Sequence, residues 1–211
     1  MDISFLLGFL IHLDENLALL IHDYGLFVYP FLFVVVFFET GIVFTPFLPG
    51  DSLIFIAGAL AGAGLLDPML LFIVFSAAAI LGDTANYSIG KYSGKKILKK
   101  HWIKEERVKQ AEDFFRRHGG KTIVIARFMP FIRTFVPFVA GIGSMNYRRF
   151  IAFNVAGGLL WVASFLTAGY LFGNIPMIKD NLTLFTLAII AASFAPAVIG
   201  LSKKYLSEKK R

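Results

Sequence analysis

The chain has 211 residues, 57% of them hydrophobic and 24 of them Phe, and its mean hydropathy of +0.70 lies well beyond that of an ordinary soluble domain. It reads as an integral membrane protein. The absence of Cys excludes disulfides, thiolate catalysis and Cys-bound metal, and His12, His22, His101 and His118 lack the spacing of a helical metal site, so neither metal nor cofactor is expected. The net charge of +7 is unevenly divided: residues 1–90 hold eight Asp/Glu and no Lys or Arg, so all 21 basic residues fall in 91–211. Basic loops beside apolar spans are the ordinary cytoplasmic retention signal, so no nucleic-acid partner is expected.

In chain order, residues 3–21 are apolar but interrupted by Gly8, His12, Asp14 and Glu15, the pattern of an amphipathic anchoring helix. With no basic residue before it, this stretch does not resemble a secretory signal, and it is expected to be retained. Residues 26–38 are almost wholly apolar, and the run continues past Glu39 until Pro46, Pro49, Gly50 and Asp51 break it. The following segment, 52–66, is shorter than the ~20 residues of a span and contains Gly58, Gly62 and Gly64. Such a broken, small-residue pair predicts a re-entrant hairpin near 39–66.

Residues 68–92 predict a full span that packs closely through Ser76, Ala77, Ala78, Ala79 and Gly82. The stretch 91–121 carries eleven Lys/Arg and four acids, with Val108, Ala111, Phe114 and Phe115 at helical spacing inside 105–117, a surface helix on the cytoplasmic side. Residues 122–145 are again apolar but contain Pro130, Pro137 and two arginines, Arg127 and Arg133. A charge at bilayer depth costs roughly 2.5–3.5 kcal/mol, so a protein-lined or watery cavity is required. This second broken segment starts and ends at basic residues, Lys121 and Arg148, and so predicts a hairpin near 121–147 that dips in and returns. Spans over 150–172 and 182–201 follow, and a tail rich in Lys closes the chain in the cytoplasm. The predicted fold class is an all-α polytopic membrane protein. It forms one domain over 1–211: an amphipathic segment (1–24), a core (25–175) and a last span with its tail (182–211).

An internal repeat supports this plan. Phe47-Leu48-Pro49 matches Phe128-Met129-Pro130, Ala57-Gly58 matches Ala140-Gly141, and Phe72, Ala78 and Tyr92 match Phe150, Ala156 and Tyr170 at one fixed offset. The charge pattern gives the two halves opposite orientations, the inverted-repeat arrangement of secondary transporters, whose ligands bind between broken helices.

The ordered set Glu39-Thr40-Gly41, Phe47-Leu48-Pro49-Gly50-Asp51-Ser52, Gly82-Asp83, Asn86-Tyr87, Gly90-Lys91, Arg127-Phe128, Pro130, Arg133, Ala140-Gly141, Phe153-Asn154, Gly157 and Trp161 resembles the DedA family of SNARE-associated, VTT-domain membrane proteins. The resemblance covers about residues 25–175. It implies a multi-pass protein of the bacterial inner membrane with two opposed re-entrant hairpins, tied to envelope integrity, membrane potential and lipid translocation. It further implies required roles for the acids at Glu39 and Asp51 and the arginines at Arg127 and Arg133.

The residues themselves support two chemistries. Guanidinium forks bind phosphate oxygens bidentately, so Arg127 and Arg133 are candidates to hold a lipid phosphate, reinforced by backbone N–H groups where the broken helices start. The bland alternative is that they pair with Glu39 and Asp51 to neutralise buried charge. Glu39 follows Phe37 and Phe38 in surroundings where desolvation disfavours a charge, which makes it the natural proton carrier. Asp51 is either its companion or the N-cap of the helix after it. Asp83, Asn86 and Tyr87 share one helix face and are candidates either to line the cavity or to hold the bundle by interhelical hydrogen bonds. Trp161, in mid-span, reads as a packing residue.

The expected function is therefore proton-coupled flipping of an anionic polyprenyl phosphate, undecaprenyl phosphate first among the choices. Its partners are membrane lipids and protons, with homo-oligomerisation left open. No nucleophile–base pair argues for an enzyme. The rival readings are a proton-coupled carrier of small solutes or ions and a non-transporting scaffold.

Overall fold

The computed structural model describes residues 13–41, 50–99, 119–129, 132–143, 145–173 and 175–176. The described residues are helical throughout, joined by short turns. Helix α1 (Leu13–Tyr24) passes through a 3₁₀ turn (Gly25–Phe27) into α2 (Val28–Gly41). Two short apolar helices, α3 (Gly50–Gly62) and α6 (Ile132–Ile142), accompany two long ones, α4 (Pro68–Lys99) and α7 (Tyr147–Phe172). A two-turn helix, α5 (Lys121–Ala126), precedes Arg127.

Three stretches are long and apolar enough to cross a membrane: Leu19–Gly41, Pro68–Gly94 and Tyr147–Phe172. The first differs from the sequence expectation. The span-length stretch that carries Glu39 begins at Leu19, in α1, and runs through the 3₁₀ turn into α2, so the end of the anchoring segment and the limb before the Pro-rich break add up to one run. The expected surface helix at 105–117 and the last span at 182–201 lie outside the described residues.

Local chemistry fixes where the long helices start. Pro68 occupies the first helical position of α4, where its missing N–H costs nothing, and Asp67 Oδ1 accepts from Leu70 N at 2.7 Å. Asn146 caps α7 in the same way, accepting from Arg148 N at 2.9 Å.

The main core gathers Leu32 and Val36 of α2, Ile54 and Ile56 of α3, Leu71 and Phe75 of α4, and Val162 of α7, all without exposed surface or nearly so. A second cluster forms around Tyr87, Val136, Ala140 and Phe150. Outward-facing positions are also apolar, among them Phe27, Phe31, Val34, Ile73, Leu160 and Leu171. Helices that are apolar on both faces suit a lipid environment.

The short helices pack crosswise, α3 against α7 and α6 against α4. Glycines allow the close approach: a methyl at Gly58 would strike the Leu166 carbonyl oxygen, and one at Gly141 the Tyr87 carbonyl oxygen. These are the two glycines paired in the sequence repeat. Gly141→Ala is expected to destabilise the protein by about 1–3 kcal/mol through overpacking. Gly143→Ala, which meets only the Val139 carbonyl oxygen at 3.3 Å, should cost less. Thermal melting in detergent checks the pair, and equal melting temperatures would refute the close-packing argument.

Candidate functional site

Arg133, the second residue of α6, reaches back between α2 and α3. Its Nη1 donates to Asp51 Oδ1 at 2.8 Å and its Nη2 donates to Glu39 Oε1. Glu39 has no exposed surface, and its Oε1 also accepts the Gly50 backbone N–H at 3.0 Å. That N–H belongs to the first turn of α3, where a helix presents unpaired donors and favours an acid. Gly50 is needed there for space, since any Cβ would collide with the Glu39 carboxylate. Asp51 lies in the first turn of α3, inside the helix instead of at its cap.

The Arg133 guanidinium sits over the Trp161 ring, 5.3 Å from its centroid, and Trp161 Nε1 donates to Asp51 Oδ1 at 2.9 Å. Trp161 thus holds both the cation and one of its anions, by cation–π attraction and by hydrogen bonding. The expectation of a packing role misses this. A buried indole N–H must find a partner, and that rule is the sequence-level signal that points to Trp161.

Arg127 follows α5 directly and is 5% exposed. The alternative in which Arg127 pairs with Glu39 and Asp51 does not hold among the described residues, where its acid is Asp83. Its Nη2 donates to Asp83 Oδ2 and Asn154 Oδ1, each at 2.5 Å, and lies 3.3 Å from the Ala79 carbonyl oxygen. The reason is steric: Gly157 and Gly158 of α7 leave room for the side chain alongside α4, so Asp83 is the acid within reach. Asn154 is itself oriented by donation from Nδ2 to Ile80 O at 3.0 Å and Thr84 Oγ1 at 3.3 Å. A lone amide within an apolar span was a readable sign of such a role.

Asn86 Nδ2 donates to Thr134 O at 2.6 Å and to Thr40 O at 3.3 Å, tying α4 to α6 and α2. Tyr87 donates from its hydroxyl to Met145 O at 2.5 Å and stacks on Phe150 with ring centroids 4.3 Å apart. Of the three residues on that face, Asp83 lines the small cavity between the two arginines. The other walls are Thr40, Arg127, Arg133, Thr134 and Trp161. The cavity volume is about 10 Å³, room for about one water molecule. The cluster as described holds three carboxylates, Glu39, Asp51 and Asp83, against two guanidiniums.

Apolar helices long enough to cross a bilayer, enclosing paired arginines and acids, define a polytopic helical membrane protein with a buried ion-pair cluster. A VTT domain is matched over residues 48–171. The chain is 50% identical over 202 residues to protein DedA of Escherichia coli (strain K12), covering 93% of this chain and 92% of that protein. It is 35% identical over 189 residues to inner membrane protein YghB of the same strain, covering 84% of this chain and 86% of that protein. With inner membrane protein YqjA, also of that strain, identity is 32% over 183 residues, covering 82% and 83%. No solved structure matches the chain. The chain belongs to the DedA family of membrane proteins.

Proposed function

We propose that this protein moves an anionic lipid carrier, in the first instance undecaprenyl phosphate, across the bacterial cytoplasmic membrane with proton coupling, as a transporter and not an enzyme. The observation that carries the reading is Arg133, an anion-binding fork held between two carboxylates. A guanidinium so occupied is closed to phosphate until the acids release it, and protonation of Glu39 and Asp51 does that.

Charge counting supports the coupling. With all three acids ionised the cluster carries one excess negative charge and repels a phosphate. With Glu39 and Asp51 protonated it carries one excess positive charge, which a phosphate monoanion neutralises. In this reading the limbs α2–α3 and α5–α6 are re-entrant hairpins of an inverted repeat, and their crosswise packing onto α7 and α4 is the related contact in each half. The basic stretches, and with them the C-terminus, face the cytoplasm.

The test is transbilayer movement of a phosphorylated polyprenyl lipid in proteoliposomes, with and without a pH gradient. Native protein is expected to show gradient-sensitive movement, and Glu39→Gln to lose the sensitivity. Full pH-dependent transport by Glu39→Gln would refute the coupling role. No movement by folded native protein would favour a small-solute carrier.

A further inference from the structure

Residues that line the cavity between the arginines carry hydrogen-bond donors that no partner takes up. Seven buried side-chain polar atoms of the described residues lack a hydrogen-bond partner. Those on residues that line this cavity are Arg127 Nε and Thr134 Oγ1, and both can donate. Thr40, on the same wall, is satisfied, since its hydroxyl donates to Val36 O at 2.9 Å. Thr134 is 1% exposed, and its backbone carbonyl is taken by Asn86 while its hydroxyl is left over.

An orphaned hydroxyl is costly in a buried site, and valine would fill the same volume without that cost. The unused hydroxyl, next to Arg133 in sequence, is a donor available to a ligand. We propose that Thr134 is a ligand-binding residue: its hydroxyl, with Arg127 Nε and the Arg133 fork, donates to a phosphoryl oxyanion when Arg133 leaves Glu39 and Asp51. This rests on the reading above that the arginines take an anionic phosphate. The room for one water is also room for one phosphoryl oxygen, so this wall holds the first oxygen while the rest of the group occupies the space that Arg133 gives up. Selection follows from the donors: a phosphate offers acceptors to all of them, and a neutral polyprenol offers one hydroxyl.

The chain has two Trp, and Trp161 touches Arg133, so a Trp102→Phe background makes Trp161 the reporter. Full-length protein in phosphatidylcholine nanodiscs is titrated with farnesyl phosphate, inorganic phosphate or farnesol. Farnesyl phosphate is expected to change Trp161 emission saturably and farnesol not to. Thr134→Val should weaken binding about tenfold, from loss of one hydrogen bond to a charged group, with Thr134→Ser within about twofold of native. The melting temperature of Thr134→Val should equal or exceed the native value. A purely structural threonine would instead lower it. Thr134→Ala repeats the test if the second methyl of valine clashes.

Native-like affinity in both hydroxyl-free variants, with affinity lost in Arg133→Ala, overturns the role of Thr134 and leaves the anion reading standing. No response of folded native protein to either phosphate overturns both. Equal affinity for inorganic and farnesyl phosphate keeps Thr134 as a ligand residue and makes the ligand free phosphate.

Discussion

Arg133→Ala is expected to reduce lipid movement at least ~100-fold, to the background of protein-free vesicles. Loss of a buried, hydrogen-bonded charge is worth about 3–5 kcal/mol, and 3 kcal/mol in a barrier is roughly two powers of ten in rate. The effect is large because Arg133 is the group on which α2, α3, α6 and α7 converge, through Glu39, Asp51, its own backbone and Trp161. The substitution also takes the guanidinium from two acids, Glu39 and Asp51, so loss of folding must be separated from loss of function. Arg133→Ala combined with Glu39→Gln and Asp51→Asn removes those negative charges, and this triple variant should regain melting behaviour while staying inactive. Arg133→Lys keeps the charge but loses the planar fork that reaches both carboxylates, and should recover only a fraction of transport. If the triple variant moved lipid at the native rate, the anion role of Arg133 would be wrong.

How far the sequence reaches toward this site depends on whether a feature is local. The apolar runs and the Pro68 start are local, and α4 and most of α7 could be read from them, whereas the expected start at 150 misses the Asn146 cap, which starts α7 at Tyr147. The expense of charge in lipid is also local, so Arg127, Arg133, Glu39 and Asp51 stand out against their neighbours. Pairing is not local. Arg133 meets Glu39 across 94 positions and Asp51 across 82, while Arg127 meets Asp83 across 44. Which arginine takes which acid is set by the register between packed helices, through gaps at glycines such as Gly157, and no periodicity encodes it. The same holds for Asn154 and Trp161, whose polar atoms matter only once α7 lies against α3 and α4. Pro137 shows the opposite failure. It read as a breaker, yet it lies inside α6. A sixth-position proline removes one backbone bond, and packing against α4 keeps the helix together.

The division of labour between the arginines leads to a stability prediction as large as the functional one. Arg127 is surrounded by acceptors from α4 and α7, and it and Asp83 are both nearly fully buried. Asp83→Ala leaves an uncompensated guanidinium in an apolar interior and is expected to destabilise by about 3–5 kcal/mol, as is Arg127→Met, which strands the carboxylate. Removing both charges together is expected to cost less than either single change, because desolvation of each ion is a penalty that the pair must first offset. Arg127→Met with Asp83→Leu therefore forms a double-mutant cycle, with thermal or denaturant unfolding in detergent as the measurement. Some loss should remain in the double variant, since Asn154 Oδ1 loses its donor. Transport by the double variant should stay low, because Arg127 Nε belongs to the proposed anion site. A double variant destabilised by the sum of the two single changes, or by more, would mean that the pair does not stabilise through mutual neutralisation. Arg127 and Asp83 would then be held in place by the packing of α4 and α7 alone.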